Sequence, residues 1–129
     1  MVPRRMNPST INYDVVVLGA GGAGMMCALK AATRGRRVAM LDHSKKPGGK
    51  IIISGGGRCN FTNLRVTAKN YVSQNEHFAK SALSRFGAEN FIAMVRAHGI
   101  AFHERKHGQL FCDSSAQQLI DMLVDECTQ

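Results

Sequence analysis

A run of glycines and one aspartate have the spacing of a site for a dinucleotide cofactor. The run from Gly19 to Gly24 reads GAGGAG, follows an apolar segment, and precedes Asp42 by 18 residues. In this pattern the first glycine permits a tight turn, the second lets the backbone approach a pyrophosphate, and the third lets a helix pack close to a strand. Free N–H groups at the start of the helix face the phosphates. The pattern therefore predicts a pyrophosphate on Gly19, Gly21, Gly22, Ala23 and Gly24, and a ribose on Asp42.

Other proteins use parts of the same pattern. Methyltransferases that bind S-adenosylmethionine also combine a glycine turn with an acid after the second strand. A glycine-rich turn can also belong to an unrelated α/β domain, in which Asp42 would only cap a strand. The pattern up to Asp42 does not separate NAD from FAD.

A second glycine-rich stretch runs from Gly48 to Asn63 and reads GGKIIISGGGRCNFTN. Glycine is costly in ordered structure unless a positive φ or a close approach requires it, so this stretch predicts a loop that grips a ligand. FAD enzymes commonly place a second Gly-Gly segment shortly after the acid, along the pyrophosphate and the ribityl chain of the cofactor. Pro47-Gly48-Gly49-Lys50 lies there, which favours FAD over NAD.

The predicted elements place these residues on a β-α-β unit. Tyr13–Leu18 and Val38–Leu41 are short apolar runs, as expected of parallel strands buried on both faces. A helix from Ala23 to about Arg34 joins them and ends at Gly35. The fold class is therefore α/β, with a Rossmann-like dinucleotide-binding unit.

The rest of the chain predicts mainly helices. Amphipathic patterns cover Glu76–Phe86 and Ala88–Ala97, and a third helix follows Ser114, which has capping-box spacing with Gln117. Residues 63–75 are expected as loop, while Ile100–Glu104 and Gln109–Phe111 are expected to pair as a hairpin.

No third buried parallel strand follows, although helices in dinucleotide folds normally lead to one. We therefore expect a flexible leader at residues 1–12, and at residues 13–129 the N-terminal part of a larger FAD/NAD(P)-binding domain. The unfinished sheet is expected to expose apolar surface and to favour self-association.

Size and composition are those of one globular domain, with 129 residues, 44% hydrophobic and 20% charged. The chain has no apolar run of about 18 residues and no signal-peptide pattern at its start, so a cytoplasmic protein without a membrane partner is expected. Its four cysteines form no C-x-x-C pair, and its five histidines lack paired ligand spacing. These spacings argue against a zinc site or a disulfide framework.

Positive charge is concentrated in one segment. The net charge is +8, and residues Lys30 to Lys69 contain ten basic residues and one acid, a local charge of +9. Such a field attracts anions, which include a phosphorylated cofactor and nucleic acid. A solvated basic face is the alternative interpretation.

The segment SGGGRCNFTN from Ser54 to Asn63 resembles the hallmark of the bacterial YhiN, BaiN and RdsA-type flavoproteins, also called aminoacetone oxidase-like. The likeness extends over residues 13–129 and includes Lys46-Pro47-Gly48 and Gly108-Gln109-Leu110-Phe111. Phe111-Cys112-Asp113 is similar to the enterobacterial YhiN subgroup. The resemblance implies a longer enzyme with two dinucleotide folds, an inserted substrate domain and a C-terminal FAD segment. Asp42 stands where many FAD proteins have glutamate.

The residues and the resemblance together suggest roles along the second glycine-rich stretch. Lys50 would offset phosphate charge and Ser54 would hydrogen-bond the cofactor. Gly55, Gly56 and Gly57 would let the backbone pass close to the flavin end. Arg58 and Asn60 would hydrogen-bond the flavin ring, or Arg58 would hold the loop through a salt bridge. Cys59 is a candidate catalytic residue, as a proton donor or a redox partner, although its small size alone could explain its presence.

The resulting functional hypothesis is an FAD-dependent oxidoreductase that transfers hydride between FAD and an organic substrate. The family has been associated with reduction of a uracil in ribosomal RNA to dihydrouridine, and with small-molecule substrates. The basic segment suits ribosomal RNA as a partner, and NAD(P)H would be an external reductant. The alternatives are a non-catalytic module that binds NAD or FAD, and a small-molecule flavoprotein oxidase or reductase.

Overall fold

The computed structural model of the protein describes residues 11–128. In chain order the strands and α-helices are β1 (Val15–Leu18), α1 (Gly22–Ala32), β2 (Val38–Leu41), α2 (Gly49–Ile53), β3 (Asn60–Asn63), α3 (Lys80–Arg85), α4 (Ala88–Ala97), β4 (Phe102–Glu104), β5 (Gln109–Cys112) and α5 (Gln117–Thr128). Short 3₁₀ turns lie at Ser54–Gly57, Ala68–Asn70 and Lys106–Gly108.

The predicted β-α-β unit is present. Strands β1 and β2 pair in parallel, with Val15 opposite Val38 and Leu18 opposite Leu41, and α1 connects them. Gly35 has φ of +72° just beyond α1, as expected of the glycine that ends a helix. The unit therefore brings the end of β1, the start of α1 and the end of β2 to one edge.

A second, antiparallel sheet has the strand order β3-β5-β4. The predicted hairpin is its β4 and β5 pair, in which His103 lies opposite Phe111. Strand β3 joins the other side of β5, with Asn63 opposite Gln109. The prediction of loop throughout Gly48–Asn63 was wrong, because this stretch contains α2, a 3₁₀ turn and β3.

The core lies where α5 packs against α1 and the antiparallel sheet. Its fully buried side chains include Met25 of α1, Val95 of α4, Cys112 of β5, and Leu119 and Met122 of α5. The Cys127 thiol donates a hydrogen bond to the carbonyl oxygen of Met25 at 3.3 Å, which ties α5 to α1. Helix α5 has the predicted apolar face and also buries Met122.

Two helix starts differ from the predictions. The predicted helix from Glu76 begins only at Lys80, because His77 donates its N–H to the Asn75 side chain at 3.0 Å in a local turn that competes with helix. At the start of α5 the Ser115 hydroxyl, rather than Ser114, accepts the Gln117 N–H at 3.1 Å.

Strand β1 is covered on one face only, so the prediction of burial on both faces was wrong for this chain. Val17 is buried, but Val16 and Leu18 are 56% and 80% exposed, and Leu41 of β2 is 56% exposed. The predicted exposed apolar surface is therefore present. Of the predicted leader, residues 1–10 lie outside the described residues, and Ile11 and Asn12 are exposed.

Within residues 11–128, no helix combines the length and apolar character needed to cross a membrane. In the same range no three His, Cys, Asp or Glu side chains come together as a metal site would require. His98 and His103 instead pair with Glu126 and Asp113, at 2.7 and 2.6 Å.

Candidate functional site

The backbone N–H and carbonyl groups of Ala20 join the three parts of the predicted dinucleotide site. Its N–H donates to Oδ2 of Asp42 at 2.6 Å, and its carbonyl oxygen accepts the N–H of Gly48 at 2.8 Å. One residue earlier, the Gly19 N–H donates to the carbonyl oxygen of Leu41 at 2.7 Å. The first glycine turn, the acid at the end of β2 and the second glycine segment are therefore held together by backbone hydrogen bonds.

Both carboxylate oxygens of Asp42 accept backbone hydrogen bonds. In addition to Ala20 at Oδ2, the Ser44 N–H donates to Oδ1 at 2.6 Å. The hydrogen bonds from Ala20 and then Ser44 lower the pKa of Asp42 below its ordinary value of 3.8. Asp42 is therefore an anion at neutral pH, and each oxygen keeps a lone pair that can accept a hydroxyl proton.

A cavity of about 410 Å³ opens beside this carboxylate. Leu18, Gly19, Leu41, Asp42 and His43 line it. Its walls are thus an apolar side chain from each parallel strand, with the acid beside them. Such a surface can receive a sugar that donates hydrogen bonds to the carboxylate.

Two glycines of the first turn differ in why a side chain is absent. A Cβ on Gly24 would lie 1.8 Å from the carbonyl oxygen of Gly19, so a side chain there is incompatible with the contact between α1 and β1. A Cβ on Gly21 would meet no atom within 4 Å, and its φ of −81° is open to any residue. The space over Gly21 is therefore free for a ligand.

Helix α1 offers unpaired donors to that space. Gly22, Ala23 and Gly24 form its first turn, whose N–H groups have no partner within a helix. In the described part of the chain no side chain caps this end. Helix α1 has 11 residues, and its dipole adds partial positive charge at these N–H groups. The open glycine cradle at a helix start fits a pyrophosphate.

The second glycine segment packs tightly against α5. Gly48 has φ of +71°, and a Cβ there would lie 2.6 Å from Cγ1 of Ile120. Its backbone can therefore reach Ala20 only while it carries no side chain. Helix α2 starts directly after it and turns Lys50, Ile51 and the following Ser54 toward α1.

A mainly apolar cavity of about 350 Å³ lies between α2, α1 and the antiparallel sheet. Gly22 stands at the end near the first turn, and the predicted site residues Lys50, Ser54, Cys59 and Asn60 line it together with Phe61 and other apolar side chains. The structure thus brings these four residues to one cavity next to the glycine turn. Arg58 is exposed and does not line it.

Some hydrogen-bonding groups of Ser54 are already used within the protein. Its hydroxyl donates to the carbonyl oxygen of Ile51 at 3.0 Å, and its carbonyl oxygen accepts the Cys59 N–H at 3.0 Å. The hydroxyl oxygen therefore remains available as an acceptor rather than as a donor.

The three consecutive glycines make a left-handed turn that leads into β3. Their φ values are +57°, +67° and +85° for Gly55, Gly56 and Gly57. A Cβ on Gly55 would lie 2.8 Å from the Phe111 ring, whereas Gly56 faces open space. Gly55 thus has a packing reason to be glycine.

Arg58 interrupts the left-handed run with φ of −105°, and Cys59 returns to a positive φ of +48°, a region that residues other than glycine seldom occupy. The residue is 6% exposed. Beside it, burial raises the pKa of Cys112 to about 11, with the Cys59 and Asp113 charges as lesser causes. Cys112 therefore stays protonated at neutral pH, and it does not line the cavity.

Sequence reasoning missed two contributors to the site. Ala20 acts only through its backbone, so its side chain carries no signal. Ser44 acts mainly through its N–H, with a weaker side-chain hydrogen bond to Asp42. Sequence reasoning also missed Phe61 and Phe91, whose rings stand 6.0 Å apart at the cavity. Their aromatic character indicated only core.

A family model described as HI0933-like protein Rossmann domain matches residues 13–129. The chain belongs to this family. The match confirms the predicted Rossmann-type α/β fold and the family resemblance carried by the glycine-rich motifs.

Curated relatives of the HI0933-like chain include two proteins named ribosomal RNA dihydrouridine synthase. The one from Escherichia coli K12 is 61% identical over 115 residues, which are 89% of this chain and 29% of the relative. The one from Haemophilus influenzae is 52% identical over 112 residues, 87% of this chain and 28% of the relative. A 3-dehydro-bile acid delta(4,6)-reductase from Clostridium scindens is 28% identical over 85% of this chain and 27% of its own length. The chain thus spans less than a third of the length of these relatives.

Replacing Asp42 with asparagine tests the hydrogen bonds at the end of β2. Because the pKa of Asp42 is lowered on folding, its stabilising effect is fully present above the unfolded value near 3.8 and is lost as the pH falls through the folded pKa. We expect Asp42→Asn to lower the free energy of unfolding at neutral pH, and the difference from wild type to shrink below pH 3.8. Urea unfolding across this range measures it.

The matched control is Asp125→Asn, which removes the same charge from an exposed position of α5. Its effect should be small near neutral pH. An Asp42→Asn deficit that stays constant down to about pH 2.5 would contradict the assigned hydrogen bonds.

Proposed function

We propose that the full-length protein is an FAD-dependent oxidoreductase that reduces a uracil of ribosomal RNA to dihydrouridine. In this proposal the present chain holds the adenosine and pyrophosphate part of FAD. The observation that carries it is the joint made by Ala20, which couples an open glycine cradle to an anionic Asp42. The substrate class is supported by the name of the two most identical relatives described above.

The chain's own residues bind and orient the cofactor. The first-turn N–H groups of α1 bind the pyrophosphate, and Asp42 accepts hydrogen bonds from the ribose. Lys50 offsets phosphate charge at the mouth of the cavity, where Ser54 supplies an acceptor. Gly56 and Gly57 let the backbone pass close to the flavin end of the cofactor. Arg58 and Asn60 hydrogen-bond the flavin ring there. Gly55 continues this backbone under the Phe111 ring.

When bound and reduced by the external reductant, FAD would supply a hydride to one carbon of the uracil ring. The neighbouring carbon needs a proton, which a positioned acid must donate. Cys59 is the candidate for this acid, because it lines the same cavity as Lys50 and Asn60. NAD(P)H is the external reductant in this proposal.

A small-molecule reductase is the second candidate. It is supported by the bile acid reductase among the relatives, and the apolar cavity of about 350 Å³ could take an organic ring. The ribosomal RNA substrate is preferred because the two relatives of that name are far more similar to this chain, and because the segment from Lys30 to Lys69 carries a charge of +9.

Alanine at two glycines separates cofactor binding from folding. Gly21→Ala should fold normally, because its Cβ meets nothing within 4 Å, but should bind FAD about tenfold or more weakly, about 1.4 kcal/mol, since the methyl group occupies the pyrophosphate space. Gly24→Ala should lower the melting temperature even without FAD, since its Cβ would overlap the Gly19 carbonyl. Flavin absorbance of the purified full-length protein and thermal unfolding of the flavin-free form measure both.

Wild-type protein must first release FAD, identified by its absorption spectrum and mass. Release of NAD or S-adenosylmethionine instead would overturn the cofactor assignment. Full FAD content in Gly21→Ala would show that the pyrophosphate does not lie over this glycine.

Deletion of the full-length gene tests the substrate. Ribosomal RNA from the deletion strain should lack a dihydrouridine that wild-type cells contain, as measured by mass spectrometry of nucleosides. A plasmid with the wild-type gene should restore it, and one with Gly21→Ala should restore less. Dihydrouridine that persists at wild-type level in the deletion strain would refute the proposal and favour the small-molecule reductase.

The role of Cys59 is tested by Cys59→Ala and Cys59→Ser in the full-length protein. If its thiol donates the proton, we expect the alanine variant to keep FAD and to form dihydrouridine on the order of 100-fold more slowly, the usual loss for a general acid. The control is Cys27→Ala, an exposed position of α1. Wild-type turnover in both Cys59 variants would restrict this residue to a packing role.

A further inference from the structure

A basic cleft of about 540 Å³ lies between the C-terminal half of α1 and α3, away from the candidate cofactor site. We call it the α1–α3 cleft. Its lining includes Lys30, Arg34, Phe78, Ser81, Arg85 and Phe86. Three of these side chains are cationic, and no acidic side chain lines the cleft within the described residues. The cleft therefore presents a concave surface of one charge sign.

Aromatic rings accompany the cations. Phe78 is 53% exposed at the cleft, and the Tyr71 ring stands edge-on to it at 6.3 Å between centroids. The ammonium group of Lys30 lies 5.1 Å from the centroid of the Phe86 ring. The Phe78 ring therefore offers an exposed aromatic face beside cationic side chains.

The basic surface continues beyond the cleft. A neighbouring cavity of about 360 Å³ is lined by Lys69, Tyr71, Glu76 and Lys80. The two cavities meet at the Tyr71 and Phe78 pair. Together they bring five cations and one acid around two exposed rings.

We propose that the α1–α3 cleft binds a single-stranded segment of the RNA substrate next to the reacting uridine. Phosphates lie on Lys30, Arg34 and Arg85, and one base stacks on Phe78. This inference rests on the proposed function, since it names where that substrate docks. The combination of a basic groove with exposed aromatic rings is how proteins bind single strands, because every base has a face that can stack.

The polar detail of the cleft suits phosphate oxygens. The Arg85 guanidinium donates to the Ser81 hydroxyl one turn earlier on α3, which orients Arg85 along the helix. Arg34 lies just beyond the C-terminal end of α1, where a cation is favoured by the helix dipole. Arginine and lysine here act as positioning contacts to the RNA backbone, without base specificity.

The cleft lies on the same helix as the candidate pyrophosphate turn. Gly22 starts α1 at the candidate pyrophosphate site, and Lys30 lies eight residues further along the same helix. At about 1.5 Å per residue this is roughly 12 Å along the axis.

Two variants of the full-length FAD-loaded protein test the cleft. Arg34→Gln combined with Arg85→Gln removes two cations, and Phe78→Ala removes the stacking ring. The matched control is Arg36→Gln combined with Lys106→Gln, which removes the same charge outside the cleft. Binding of a uridine-rich single-stranded RNA oligonucleotide is measured by fluorescence anisotropy over a range of salt concentrations, with dihydrouridine formation on ribosomal RNA from the deletion strain as the second readout.

The double cleft variant should bind about tenfold or more weakly and should reduce the salt slope by about 1.4, since each phosphate contact on a single strand contributes about 0.7. Phe78→Ala should weaken binding by about fivefold or more with the slope unchanged, because stacking releases no counterions. The control should stay within about twofold of wild type, because separated surface charges are screened by salt. In all variants the FAD content should equal that of wild type.

The two proposals fail differently. If wild type forms dihydrouridine and the cleft variants bind and react like the control, the cleft is not the RNA surface while the proposed function stands. If wild type neither binds the oligonucleotide nor modifies ribosomal RNA, the proposed function falls and the cleft assignment falls with it. Equal losses in the cleft and control variants would show that net charge alone attracts the RNA, which also overturns the cleft.

Discussion

The two backbone groups of one residue, Ala20, connect the parts of the candidate cofactor site. Its N–H is held by Asp42 and its carbonyl by Gly48, so the turn after β1 is clamped from both sides. Hydrogen bonds to a carboxylate are stronger than neutral ones, which makes the Asp42 contact the firmer side of the clamp. The same contact keeps Asp42 ionised, since a protonated carboxyl would lose part of it. The same hydrogen bond thus holds the turn in place and keeps the negative charge on Asp42.

The clamp works only because glycines remove side chains where backbones meet. Gly24 lets α1 pack against Gly19, and Gly48 lets the second segment pass beneath Ile120 of α5. Helix α5 is itself buried against α1 through Met25 and Leu119. A contact far along the chain therefore sets the position of the second glycine segment, and the cofactor site depends on the core as much as on its own motif.

Sequence reasoning captured the parts of the fold that depend on local pattern. The parallel pair, α1, α4 and the hairpin of β4 and β5 follow from apolar periodicity and glycine positions. Strand β3 was not predicted, because Asn60–Asn63 is short and polar. It is a strand only through pairing with β5. Type and spacing also predicted that the first glycine turn and Asp42 lie together, and the hydrogen bond from Ala20 to Asp42 places them side by side. The role of Ala20 could not be predicted, because a backbone group leaves no mark on residue choice.

Charge shows the same limit at a larger scale. The excess of basic residues between Lys30 and Lys69 is visible in the sequence, but the fold separates these residues from one another. Lys50 lies at the cavity beside the first turn, whereas Lys30 and Arg34 face α3 and join Arg85, which lies outside that segment. Helix α1 connects the two, with its unpaired N–H groups at one end and basic side chains at the other. If the proposed cofactor and the proposed RNA bind at these two ends, one rigid helix sets the geometry between them, and net charge does not.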